Sequence, residues 1–232
     1  MNIKAVLVLL AAIAFLVAPA VTPPFTGYDP DTFPVAIPRP FIQPAGYAFS
    51  IWGLIYGWLA LHAVFGLFRR GDDPAWDITR LPLAGSAALG AVWLAIAGVA
   101  PVAATVVIWA MLGLALLALH RADPARDRWL LVAPIAIYAG WLSAAAAVSL
   151  GVVLAGYGWL SNTGAALAML ALVLAIAVTV QMRKRGVLEY GATVIWALVG
   201  VIAANRADAQ TVVYAAAVGI VVMAGTMVLA RR

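Results

Sequence analysis

The sequence predicts an all-α, polytopic transmembrane helix bundle of about eight spans, with both termini on the cytoplasmic side. Three observations carry this reading. Of 232 residues, 66% are hydrophobic and 10% charged, against roughly 45–50% and about 25% in a soluble domain, and the mean hydropathy is +1.05. Eight apolar runs, each near the ~20 residues that a bilayer crossing needs, are separated by polar or Pro/Gly breaks. The basic residues change sides in step with those runs. This composition excludes a cytoplasmic enzyme, a secreted domain and a disordered regulator.

The first span is expected at 5–21, behind Lys4. Lys4, the apolar stretch and Ala18-Pro19-Ala20 resemble a signal peptide with a small-residue cleavage site. An uncleaved first helix is the expectation. The long outer loop at 22–43 follows, with prolines at 23, 24, 30, 34, 38 and 40. Six prolines forbid a helix and stiffen the backbone. Phe25, Tyr28, Phe33 and Phe41 make it either a lid packed on helix ends or an extended linker at headgroup level.

The second span is expected at 45–68, the third at 81–100 and the fourth at 102–119. Only Ala100-Pro101 divides the last two, which suits a tight turn. The remaining spans are expected at 129–155, 163–182, 187–204 and 211–230. With the N-terminus inside, the cytoplasmic side holds Lys4, Arg69, Arg70, Arg80, Arg121, Arg126, Arg128, Arg183, Lys184, Arg185, Arg231 and Arg232. The outer side holds Arg39 and Arg206. That bias is the positive-inside pattern of a plasma-membrane protein. The net charge of +5 therefore marks span flanks, and no nucleic-acid partner is expected. The chain shows no internal repeat of the kind that builds inverted-repeat transporters.

The absence of cysteine excludes disulfides, thiolate metal sites and a cysteine nucleophile. Apart from Glu189, near the start of the seventh span, no Asp, Glu, Lys or Arg falls within the span limits given above, which argues against a pump, an ion-coupled transporter or a voltage sensor. Two histidines remain. His120 sits at the cytoplasmic edge beside Arg121. His62, in the second span, is read as hydrogen-bonded within the bundle, with axial ligation of a tetrapyrrole metal as the less favoured role. No zinc-protease, phosphate-loop or nucleophile-elbow pattern occurs, and Gly156-Tyr157-Gly158 lacks the third glycine of a dinucleotide fingerprint. No catalytic residue, no metal site and no enzymatic activity are expected.

Nine tryptophans are the sequence's most distinctive feature. Trp129 and Trp159 fit an interfacial belt, and Trp76 falls in a cytoplasmic loop. Trp52, Trp58, Trp93, Trp109, Trp141 and Trp196 lie inside spans. Phe49, Trp52 and Tyr56 have i, i+3, i+7 spacing and share one helix face. Trp58, His62 and Phe65 share the opposite face. In the fifth span Tyr138, Trp141, Ala145 and Ser149 line one face. At about 1.5 Å per residue, Trp52 and Trp93 lie roughly 10 Å below the outer surface, Tyr56 about 16 Å and Trp141 about 20 Å. Such rings either line a pocket for a flat apolar ligand or pack helix on helix.

The stretch Pro44-x-Gly46-x-x-Phe49-x-x-Trp52-x-x-x-Tyr56 resembles the second-helix signature of the TspO/MBR family, the tryptophan-rich sensory or translocator proteins. Tyr138-x-x-Trp141-x-Ser143-x-Ala145 resembles that family's fifth-helix signature, and Trp93 falls where the family has a third-helix tryptophan. The resemblance covers roughly residues 1–156. It implies a five-helix bundle with a proline-rich outer loop at 22–43, followed in 157–232 by three additional helices. It further implies a tetrapyrrole-like or sterol-like ligand lined by Phe49, Trp52, Tyr56, Trp93, Tyr138 and Trp141. The departures are specific. One residue is missing between Phe49 and Trp52 relative to the family spacing, a rotation of about 100°. Pro44-Ala45 replaces the usual double proline, and Gly90 stands where an asparagine commonly precedes the tryptophan.

Two functions follow as expectations. One is a multi-pass protein of the bacterial inner membrane that binds a planar hydrophobic ligand as sensor, carrier or chaperone, linked by resemblance to tetrapyrrole-dependent regulation. No certain cofactor is implied, and a tetrapyrrole or lipid is the expected ligand class. The other is a structural or accessory subunit of a membrane complex, including a pigment-containing photosynthetic one. Expected partners are membrane lipids, the small hydrophobic ligand, and either a second copy or a larger membrane complex.

Overall fold

Asp73-Pro74 illustrates how local chemistry sets the helices. In the computed structural model, which describes residues 2–25 and 27–231, the Asp73 side chain accepts from the Ala75 N–H and Pro74 occupies the first helical position. An acidic cap followed by proline is a strong helix start. The third helix therefore runs Pro74–Ala97 rather than starting at 81. Trp76, expected in a loop, lies in its first turn and is fully buried. Asp77 and Arg80 fall within the helix as well, and Glu189 lies in the first turn of the seventh helix, so the expectation of charge-free membrane helices does not hold.

Every regular element among the described residues is helical. The helices are α1 (Ile3–Val21), α2 (Ile51–Arg69), α3 (Pro74–Ala97), α4 (Pro101–Arg121), α5 (Ala133–Gly156), α6 (Asn162–Arg183), α7 (Leu188–Asn205) and α8 (Gln210–Leu229). Among the described residues, eight helical segments are long and apolar enough to cross a membrane. Arg232, counted with the basic residues, lies outside the described residues. A 3₁₀ turn, Gly46–Ser50, precedes α2, and a π turn, Arg128–Val132, precedes α5.

Contacts divide the chain into two units. The first is Met1–Phe25 with Ile51–Leu142, and the second is Thr26–Ser50 with Ser143–Arg232. In the first unit, α1 buries the stripe Ala5, Val8, Ala12, Phe15 and Ala18. Small residues on that stripe let α3 approach closely. α3 and α4 form a tight antiparallel pair joined at Gly98–Ala100, with Pro101 opening α4.

One end of this unit is a hydrogen-bonded cluster. Arg80, 2% exposed, donates to the carbonyls of Gly66 (3.2 Å), Arg70 (2.6 Å) and Gly71 (2.7 Å). These carbonyls lie in the last turn of α2 and just beyond it, where the helix leaves acceptors to other donors; the Arg70 carbonyl also accepts from the Asp73 N–H at 3.1 Å. Asp127, at φ +40°, presents its carboxylate to Arg70 Nε (2.8 Å) and Nη2 (3.0 Å) and to Trp76 Nε1 (2.9 Å). The Arg70 hydrogen bonds, helped by Trp76, hold the Asp127 carboxyl below the usual carboxylate range. Asp73 is held low in the same way, chiefly by Arg126. Trp76 stacks on His62 at 4.7 Å. His62 Nδ1 lies 2.7 Å from the Leu130 carbonyl, and Trp58 Nε1 donates to Trp129 O at 2.6 Å. The wide π winding disturbs the usual i→i+4 ladder, and these side chains use the acceptors it leaves.

In the second unit, the Ser161 side chain caps α6 by accepting from the Gly164 N–H. Gly158 has φ +72° at the turn after α5, a conformation glycine adopts without steric cost. The proline-rich segment packs on helix ends of its own unit. Val35 N–H donates to Gly156 O (2.9 Å), Ala45 N–H to Gly200 O (3.0 Å), Trp196 Nε1 to Ala48 O (3.0 Å) and Asn205 Nδ2 to Phe41 O (2.7 Å). A Cβ on Gly200 would lie 2.8 Å from Pro44 Cβ and 2.9 Å from Ala48 Cβ. The backbone of α7 can approach this segment because position 200 has no side chain.

Candidate ligand site

The aromatic cluster of the first unit is centred on Phe15. Its ring lies 5.6 Å from Trp52, 5.0 Å from Tyr56 and 5.7 Å from Tyr138, the first two edge-on. Trp52 stacks on Tyr56 at 5.3 Å with an interplanar angle of 20°. Trp141 meets Trp52 edge-on at 6.3 Å. Each such pair adds about 0.5–1.5 kcal/mol beyond area burial, so the cluster ties α1, α2 and the first part of α5 together.

The cluster has a buried base and a more open top. Tyr138 and Trp141 are 0% and 2% exposed, whereas Trp52 and Tyr56 are half-buried. The Tyr138 hydroxyl lies 2.9 Å from Ser86 Oγ, which donates to the Met111 carbonyl at 2.8 Å. This chain joins α5, α3 and α4. In a membrane interior a hydroxyl without a partner costs several kcal/mol, so the chain fixes the orientation of the Tyr138 ring.

Four of the six residues expected at the site are thus brought together: Trp52, Tyr56, Tyr138 and Trp141. Trp93 is turned away from them. Its Nε1 donates to Ala104 O at 2.9 Å and its ring meets Phe25 edge-on at 5.3 Å. Phe49 lies on the 3₁₀ turn, in the second unit, and is 39% exposed. The helix-face argument placed Phe49, Trp52 and Tyr56 on one α-helical stripe. The winding changes between Ser50 and Ile51, so an angle of 100° per residue does not carry through.

Phe15 and Ser86 were not anticipated. Phe15 is the only aromatic residue in α1 and ends a run of small or β-branched residues at 5, 8 and 12. That pattern marks a buried stripe, and the stripe carries one ring. Gly90 on α3 accommodates it. A Cβ at position 90 would lie 2.5 Å from Phe15 Cε2. The Phe15 ring occupies this space because position 90 has no side chain.

The second unit holds a cavity of about 610 Å³ beneath the proline-rich segment. Tyr28, Arg39, Gln43, Pro44, Val152 and Ala204 are among its walls. The Tyr28 hydroxyl lies 2.7 Å from Ser149 Oγ, and Arg39 Nη2 pairs with Asp208 at 2.5 Å. Arg39 Nη1 also donates to the Ala204 carbonyl. None of the six expected residues is among the residues lining this cavity.

These features define a multi-pass, all-helical membrane protein whose helix interiors present aromatic rings and paired hydroxyls. A model of the TSPO-like protein family matches residues 3–229. The chain belongs to that family, and the match extends through α6, α7 and α8. No curated protein and no solved structure matches it.

Proposed function

We propose that this TSPO-like protein binds a planar hydrophobic molecule, tetrapyrrole-like or sterol-like, at the Trp52–Tyr56 face, as a sensor, carrier or chaperone in a bacterial inner membrane. The observation that carries the reading is the stacked, half-buried Trp52–Tyr56 pair resting on Phe15 and Trp141. Two near-parallel rings above a fully buried base offer a π surface of the kind that flat apolar ligands occupy. The site supplies indole and phenol groups and no catalytic constellation, so its role is binding rather than catalysis. A signalling or transport role, and partners such as a second copy, would follow from loading of this site.

A second reading rests on Phe15. Its contacts with three rings satisfy the cluster by packing alone, as expected of a structural subunit in a membrane complex, photosynthetic or otherwise. Native mass spectrometry and tryptophan quenching of the detergent-solubilised protein, with protoporphyrin as the probe, separate the two. A one-to-one complex lost in Trp52→Ala supports ligand binding. No complex, or equal binding by Trp52→Ala, together with persistent copurification of other membrane subunits, supports packing.

A further inference from the structure

A second site lies at one end of the first unit, on the outside of the helices. Lys4, Asp77, Ile78, Leu81 and Arg121 line a cavity of about 420 Å³, within the range of small-ligand sites. Its charges are unbalanced. Asp77 accepts from Lys4 Nζ (2.5 Å), Asn2 Nδ2 (3.1 Å) and Arg80 Nη1 (3.3 Å). One carboxylate is thus shared by two cations before Arg121 is counted. Arg121 makes one long hydrogen bond, Nη1 to Ile78 O at 3.3 Å. Among the described residues no carboxylate comes within ion-pair distance of it. The lining itself sets two cations, Lys4 and Arg121, against one carboxylate, a surplus of one positive charge, with the buried Arg80 behind Asp77. The remaining wall is apolar. Ile78 and Leu81, one turn apart on α3, are 49% and 55% exposed.

A cationic rim over an exposed apolar wall, at the last charged residues of membrane helices, has the polarity of a lipid headgroup joined to its acyl chain. Guanidinium and ammonium groups at such depth pair with phosphate oxygens. Basic pockets between transmembrane helices on the cytoplasmic side hold anionic headgroups, and the charge alternation assigns Lys4, Arg80 and Arg121 to that side. We propose that this cavity holds one anionic phospholipid, with its phosphate on Arg121 and Lys4 and an acyl chain along Ile78 and Leu81. The proposal is independent of the aromatic cluster, since none of these residues belongs to it.

The full-length protein, delipidated in detergent, is titrated with phosphatidylglycerol or phosphatidylcholine and read by native mass spectrometry. One phosphatidylglycerol is expected to be retained in preference to phosphatidylcholine. Arg121→Gln should lower its occupancy about fivefold, the effect of one basic residue near an anionic surface. Arg183→Gln, at the end of α6, should leave it unchanged. Leu81→Gln, which leaves every cation in place, should also weaken retention. Equal retention of the two lipids, equal loss in Arg183→Gln, or displacement by equimolar inorganic phosphate would each overturn the proposal. The last outcome would mean a free-anion site.

Discussion

Substituting Gly90 by alanine tests the packing of the aromatic cluster directly. The new methyl would sit 2.5 Å from Phe15 Cε2 and 2.8 Å from Cδ2 and Cζ. Carbon atoms rest at about 3.5–4.0 Å, so the ring must retreat by roughly 1 Å. Tyr56 at 5.0 Å, Trp52 at 5.6 Å and Tyr138 at 5.7 Å surround it, and Tyr138 is held by Ser86. Overpacking of this kind costs about 1–3 kcal/mol, and each disturbed ring pair loses part of about 0.5–1.5 kcal/mol. Replacing glycine inside a helix returns about 1 kcal/mol. The net expectation is a loss of about 2 kcal/mol, or a melting temperature lower by roughly 4–8 °C for a chain of this size.

The assay is thermal unfolding in detergent, followed by circular dichroism and tryptophan fluorescence. Gly113→Ala on α4 is the control, because a Cβ there meets nothing within 4 Å. It should be neutral or stabilising by up to about 1 kcal/mol. Phe15→Leu in the Gly90→Ala background should recover part of the loss, giving a coupling of about 0.5–3 kcal/mol between positions in contact. If Gly90→Ala melts with the wild type, or if the two substitutions are additive, Phe15 is not the ring that fills this space.

Two further predictions concern the charged end of the first unit. Asp127→Asn should lower stability at neutral pH, because the bidentate pair with Arg70 loses its charge. Asp127 has a depressed pKa in the fold, so its contribution is fully present above the unfolded value near ~3.9 and fades as pH falls through the lower folded value. The melting temperature of the wild type should therefore drop below about pH 4, and the variant should show a shallower drop over that window. Arg80→Met should destabilise by about 3 kcal/mol or more in chemical denaturation, since it strips the Gly66, Arg70 and Gly71 carbonyls of a buried charged donor. Arg80→Lys should recover only part, and full recovery would show that the three-carbonyl geometry is unimportant.

The number of membrane helices was legible in the chain because it depends on one-dimensional properties. A bilayer crossing needs a run of apolar residues of fixed length, and the flanking charges report where each run ends. The start of α3 was misjudged because Asp73-Pro74 is a capping signal and not a hydropathy signal. Tyr138, Trp141, Trp52 and Tyr56 were legible from helical spacing and from the family motifs. Spacing alone did not indicate the Trp93 contacts with Phe25 and Ala104, or the 3₁₀ winding that carries Phe49. Which way Trp93 turns depends on a carbonyl of a different helix, Ala104, and the face of Phe49 depends on a change of winding at Ser50. Phe15 and Gly90, 75 positions apart in the chain, meet only because α1 and α3 pack together, and the proline-rich segment settles on Gly200 for the same kind of reason. Hydropathy and charge act residue by residue and can be read along a line. The filling of one particular volume by one particular ring belongs to the tertiary structure, because it requires the backbones that bound that volume to be in place first.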